Sequence, residues 1–184
     1  MKNFSVVIII AVFLFSCGEE VVPKPKPYLT LQYPISSYKK IKTNCPYSFE
    51  ISNLAKIKFK NNCWASIKYP QLKATIYITY RKVEGNLDEI LKEVEKLTFE
   101  HTIKADAIPD YRPFENLDKK VYGRLYNIEG NVATNIQFRA TDSVKNVLSG
   151  ALYFYAKPNY DSIVPTIKYL EKDIMHLVET LEWK

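Results

Sequence analysis

Along residues 72–83 apolar and polar side chains alternate: Leu72, Ala74, Ile76, Ile78 and Tyr80 fall on one side, Lys73, Thr75, Tyr77, Thr79 and Arg81 on the other. Successive side chains of a strand point to opposite faces, so this period of two commits the segment to a strand with one packed face and one wetter face. A strand of that kind needs neighbours of the same kind, and the chain supplies them. Residues 47–51 and 55–59 alternate, Asn61-Asn62 brings turn chemistry, and residues 63–69 lead into Pro70. Later, residues 120–128, 132–141 and 147–157 read as three successive strands, joined by Gly130-Asn131 and by Thr141-Asp142-Ser143 with Lys145-Asn146. Gly150-Ala151 puts small residues early in the last of them, where something bulky can approach the backbone.

Two segments carry the helical period instead. Leu87, Ile90, Leu91, Val94 and Leu97 recur at helical spacing, with Asn86 as N-cap and Asp88 and Glu89 in the first turn, where the helix dipole favours acids. That helix is expected to run to about Thr102. A longer one starts near Ser162 behind Asp161, with Pro165 in its first turns and Ile163, Ile167, Leu170, Ile174, Leu177, Val178 and Leu181 as its apolar stripe. Trp183 is expected to pin the C-terminus into the core, and residues 107–118 read as an irregular, proline-bearing loop. The order of elements predicts an α+β fold, an antiparallel β-sheet flanked by helices in an α-β-α sandwich.

The N-terminus reads differently. Met1-Lys2-Asn3 is a short positive region, and residues 4–15 are apolar apart from Ser5, the length of a signal segment and short of the roughly 20 residues a transmembrane helix needs. Ser16 then precedes Cys17 at the border with polar Gly18-Glu19-Glu20. An ordinary signal peptide with an incidental cysteine, or a short anchor helix, would share the apolar run. The cysteine at its border favours a bacterial lipoprotein, cut after residue 16 and acylated on Cys17, with palmitate-like chains that bury about 0.8 kcal/mol per CH₂. Residues 17–27 are then the lipidated cysteine and a Pro/Lys tether near polyproline II, and residues 28–184 a single α+β domain. Glu19-Glu20 argues against inner-membrane retention, so the expected place is the cell envelope, in the outer membrane facing the periplasm.

Behind Cys17 only Cys45 and Cys63 remain, an even pair in a compartment that permits oxidation. A bridge between them would contribute about 3 kcal/mol by loop closure; two free thiols are the alternative. Two cysteines and two distant histidines lack metal-ligand spacing, and no metal or cofactor is expected. The net charge of +6 is scattered, with no Lys/Arg block that would point to nucleic acid.

Catalytic signatures fail in turn: there is no Gly-x-Ser-x-Gly elbow, P-loop, His-Glu-x-x-His or Gly-x-Gly-x-x-Gly. A triad of Ser143, Asp142 and either His101 or His176 would be a guess, since both histidines read as solvated. The expectation is therefore a protein that is not an enzyme. Better candidates lie on the polar row of the sheet, where Asn135, Gln137 and Arg139, with Tyr122, Arg124 and Tyr126, would present an aromatic and basic surface to a partner.

Several stretches, taken in order and spacing, resemble a known family. They are Cys17-Gly18-Glu19 with Pro23-Lys24-Pro25; Cys45-Pro46-Tyr47-Ser48-Phe49; Tyr69-Pro70-Gln71-Leu72-Lys73-Ala74-Thr75-Ile76; Thr141-Asp142-Ser143; and Gly150-Ala151-Leu152-Tyr153-Phe154 through Pro158-Asn159 to the last helix. Together they resemble the GldD family of gliding-motility lipoproteins of Bacteroidota. The resemblance implies a membrane lipoprotein needed for gliding and the linked type IX secretion pathway, with other envelope proteins as partners. It assigns a role to Cys17, lipid attachment, and no catalytic residue. The order of elements also resembles the PsbP/Mog1-like sandwich, a fold-level analogy that says little about mechanism. A non-enzymatic accessory lipoprotein acting through protein contacts is thus the first expectation. A periplasmic ligand-binding or chaperone-like module holding a peptide or glycan on its sheet face is the second, and an envelope hydrolase the third.

Overall fold

A computed structural model describes residues 33–100, 110–155 and 159–184; the leader, Cys17, the Pro/Lys run and His101 lie outside them. The strands are β1 (Tyr38–Lys40), β2 (Tyr47–Ser48), β3 (Glu50–Ser52), β4 (Lys56–Phe59), β5 (Ala65–Tyr69), β6 (Ala74–Lys82), β7 (Asp110–Asn116), β8 (Val121–Asn127), β9 (Thr134–Thr141), β10 (Asn146–Phe154) and β11 (Glu182–Trp183). The helices are α1 (Leu87–Glu100) and α2 (Tyr160–Glu179). Seven strands form one sheet in the order β4-β5-β6-β10-β9-β8-β7, each neighbour antiparallel to the next. β1 pairs with β3, and β11 with β2, as separate ribbons.

The alternation in β6 is what sets the layers. Its row of Ala74, Ile76 and Ile78 joins Leu148 and Leu152 of β10, Ile136, Phe138 and Ala140 of β9 and Leu125 of β8 in one buried cluster with Leu170, Ile174, Leu177 and Val178 of α2. Each of the larger side chains among them contributes about 1.5–3 kcal/mol on burial, so this interface is the main source of stability. The opposite row meets α1: Glu93 pairs with Arg81, Glu95 with Arg124, and Thr98 with Gln137. One helix lies on either face, an α+β arrangement of the kind the element order predicts. The cover on the α1 side is thinner, a small cluster of Val83, Ile90 and Val147 under Leu87, Leu91 and Val94.

Residues 107–118, read from the sequence as a loop, contain β7, which pairs with β8 along its whole length at the edge of the sheet. An edge strand has one row of backbone groups without a ladder partner, and that is why Pro113, which has no N–H to donate, does not end it. Phe114 lies opposite Gly123, where a Cβ would meet its ring at 2.1 Å. Gly150 is covered in the same way by the ring of Phe138, at 2.2 Å from a Cβ placed there.

Local signals at the helix ends differ from expectation in detail. The Asn86 carbonyl accepts the N–H of Ile90, but its side chain turns back to the N–H of Glu84 rather than capping α1. α2 begins at Tyr160, ahead of Asp161, and its first N–H is bound by the side chain of Asn131 from the β8–β9 loop, at 2.9 Å. The segment before β1 is strapped along α2: Tyr33 stacks on Tyr169 and shares a hydrogen bond with Thr166, and Ser36 and Tyr38 donate to buried Asp173.

Candidate functional site

The six residues expected to form an open polar surface are on the α1 side of the sheet, but α1 and the loops cover three of them. Asn135 is 2% exposed and holds the β8–β9 loop, donating to the carbonyls of Ile128 and Gly130. Gln137 is 8% exposed; its carbonyl accepts from Thr98 of α1 at 3.2 Å and its amide donates to Thr134 at 2.8 Å. Tyr126 is buried with its hydroxyl donating to Glu95. Asn135 and Tyr126 present nothing to a partner, and Gln137 reaches only the lining of a cleft. The period of two placed them on the right face and was silent about whether a helix lies over it.

Tyr122, Arg124 and Arg139 remain half-buried at the margin of that layer. Arg124 donates to Glu95 at 3.2 Å and lies 4.7 Å from the ring centre of Tyr111. Its hydrogen bond with Tyr126, and then the nearby Glu95 carboxylate, outweigh partial burial and raise its pKa. Arg139 stands directly opposite Arg124 on β9. Like charges in that position repel. Among the described residues Arg139 has no ion pair, and its Nε is buried without an acceptor.

Beside this pair a cleft of about 350 Å³ opens between α1 and strands β6 and β10. Leu97 and Val94 form one wall and the rings of Tyr77 and Tyr153, edge to face at 5.4 Å, the other. Thr79 and Ser149, opposite one another in the β6–β10 ladder, lie on its floor. Among the described residues no charged side chain lines it. At its rim the hydroxyls of Thr75, Tyr155 and Tyr77 form a chain with both links at 2.9 Å. Thr75 donates to Tyr155 and holds that phenol below its ordinary value, whereas the bond to Tyr155 raises Tyr77. Sequence reading passed over Tyr77, Thr79 and Ser149; the wetter row of β6 and the small residues around Gly150 were the signals available.

Elsewhere the polar chemistry is spent on structure. Cys45 and Cys63 form a disulfide with Cα atoms 5.5 Å apart, and the buried hydroxyl of Tyr47 donates to the Cys63 carbonyl at 2.6 Å. His176, expected at the surface beside Glu179 and Glu182, instead stacks on Tyr38 at 3.6 Å between ring centres and bonds Glu50 at 2.8 Å. Asp142 binds three backbone N–H groups of its own turn. Trp183 is half-buried against the core, with Nε1 donating to the Lys120 carbonyl. Among the described residues no group of three His, Cys, Asp or Glu is arranged to hold a metal, and no helix is long and apolar enough to cross a membrane.

These elements define a class: an α+β protein built on one seven-stranded antiparallel sheet with a helix on either face. The family model described as gliding motility lipoprotein GldD matches residues 18–183, nearly the whole chain, and the chain belongs to that family. It is therefore a lipoprotein of gliding motility, associated with the envelope through a lipid anchor. No curated protein sequence matches it.

Proposed function

We propose that this lipoprotein is a non-enzymatic accessory component of gliding motility and of the linked type IX secretion machinery, held in the outer membrane by acyl chains on Cys17 and facing the periplasm. It works there through contacts with other envelope proteins. The observation that carries this reading is the half-covered apolar stripe of α1. Leu97 belongs to the stripe by its spacing, yet it is 49% exposed, and Tyr77, Tyr111 and Tyr155 stand exposed on the same side. Large apolar and tyrosine side chains grouped on one face are what protein interfaces are built from. The histidine that described residues offer for catalysis, His176, is bound into a stack with Tyr38 and a hydrogen bond with Glu50.

The experiment is site-specific photocrosslinking in gliding cells. A crosslinker at Leu97 should capture a defined envelope protein, and one at Lys58, on β4 at the far edge of the sheet, should not. Equal capture from both positions, or from neither, removes the reading. Cys17→Ala, exported by a conventional leader, should abolish gliding although the protein accumulates; full motility with a soluble form would show that anchoring is dispensable. A second reading, a module that holds a peptide or glycan on its sheet face, is favoured by the uncharged cleft.

A further inference from the structure

Arg124 and Arg139 face one another across neighbouring strands, and a single carboxylate, Glu95, serves the pair. Glu95 is already bonded to Arg124 and Tyr126. Arg81, the next arginine on this face, is taken by Glu93. Arg139 is therefore a surplus cation in a half-buried place. Its Nε is covered without an acceptor, and its terminal nitrogens, which have no partner among the described residues, are not among the buried atoms.

The guanidinium has one neighbour that matters. Arg139 pairs in the β9–β10 ladder with Ser149, which lies on the cleft floor, and Gln137, two residues along the same face of β9, also lines the cleft. Alternate residues of a strand are about 7 Å apart. The surplus cation thus sits one side-chain step from an uncharged pocket walled by Leu97, Val94 and tyrosine rings. Neither Thr79 nor Ser149 spends its hydroxyl on another described side chain.

We infer that this face recognises an acidic peptide segment of a protein partner: an apolar side chain enters the cleft, and a carboxylate two residues along the segment binds the fork of Arg139. The inference rests on the reading that the protein acts through protein contacts. An extended segment presents neighbouring side chains in alternate directions and residues two apart on one side about 7 Å from each other, which matches the separation between cleft and guanidinium. A carboxylate there relieves the Arg124–Arg139 repulsion and fits the planar donor geometry of arginine, which a lysine offers only as a point charge.

The test uses the full lipidated protein in neutral detergent micelles and fluorescence anisotropy with a labelled octapeptide of the repeat Leu-Ser-Glu-Ser, which sets leucine and glutamate two residues apart on one face. Its counterpart has glutamine for each glutamate. The acidic peptide should bind about tenfold or more tightly than the neutral one. Arg139→Gln should erase that difference, and Arg139→Lys should restore part of it, with thermal melts of both variants reporting that the fold is kept. Equal binding of the two peptides, or an undiminished preference in Arg139→Gln, overturns the inference. So does displacement by inorganic phosphate at the same concentrations from a site that treats both peptides alike, since that outcome marks a general oxyanion site. If the acidic peptide fails while the crosslinker at Leu97 still captures a partner, recognition of an acid is wrong and action through protein contacts stands.

Discussion

The turn between β9 and β10 hangs on one carboxylate, and its loss makes a sharp test of the sheet's construction. Asp142 Oδ1 accepts the N–H groups of Val144, Lys145 and Asn146 at 2.9, 2.7 and 2.9 Å, and Oδ2 accepts the Asn146 side-chain amide at 2.6 Å. Ser143 in the same turn takes a positive φ of 64°, so the conformation depends on those bonds rather than on glycine. Burial pushes the Asp142 pKa up, but the bonds from Val144, Asn146 and Lys145 outweigh it and hold the carboxyl below its ordinary 3.8. A depressed folded value means that the stabilisation is fully present above the unfolded pKa and is lost as pH falls through the folded one. Most of the freed N–H groups would rehydrate in this exposed turn, which keeps the cost of Asp142→Ala near 2 kcal/mol, at the level of a lost cap. At about 2–4 °C per kcal/mol for a chain of this size, Tm should drop by about 4–8 °C near neutral pH. Asp142→Asn, which keeps one acceptor oxygen for the backbone N–H groups but loses the charge and the acceptor for the Asn146 amide, should cost about half as much. Circular-dichroism melts of wild type and both variants from about pH 7 to about pH 2 isolate this group, because the other carboxylates titrate in all three proteins. The Asn deficit should shrink towards zero at the acid end. A deficit constant across the range would show that the charge of Asp142 is not what the turn holds.

Reduction of the Cys45–Cys63 bridge, or replacement of both cysteines by serine, should lower unfolding free energy by about 3 kcal/mol for a separation of 18 residues, read as an earlier urea midpoint; an unmoved midpoint would mean the closed loop is equally restricted without the bond. Gly123→Ala should lose about 1–3 kcal/mol or more, because a Cβ there meets the Arg139 carbonyl at 2.3 Å and a ladder carbonyl in β9 cannot step aside as the Phe114 ring can. An Ala variant with wild-type stability would contradict that close approach.

Much of the sheet was legible because its strands alternate and their turns carry Gly, Asn and Asp, which announce themselves locally. β7 was not, since Pro113 argues against a strand unless the strand lies at an edge, and edge position is a property of the whole sheet. The candidate surface failed for a related reason. Asn135, Gln137 and Tyr126 lie in one polar row, but no local pattern says where a helix will lie across it; Gln137 and Tyr126 found partners on α1, 39 and 31 residues away, whereas Asn135 turned inward to its own loop. His176 is the clearest case: its neighbours in sequence are acidic and solvated, while its partners Tyr38 and Glu50 come from strands more than a hundred residues away. Arg139 was singled out with its row, yet its distinction, a cation without an anion among the described residues, is visible only after Glu93 and Glu95 are seen to be engaged by other arginines.

The two faces of the sheet are left in opposite conditions, and the difference bears on how a tethered protein is used. On the α2 side the chain's own entry segment occupies the helix: Tyr33 on Tyr169 and Thr166, Ser36 and Tyr38 on Asp173, Tyr38 again on His176. A partner arriving there would have to displace stacked rings and expose a buried carboxylate, at a cost of several kcal/mol. On the α1 side the layer is thin, Leu97 stands half out of it, and Arg139 has no anion among the described residues. A partner docking there covers apolar surface and neutralises charge without breaking any bond the fold has made. The strapped entry segment and the open cleft therefore belong to opposite faces, so that binding on one leaves the attachment of the other undisturbed.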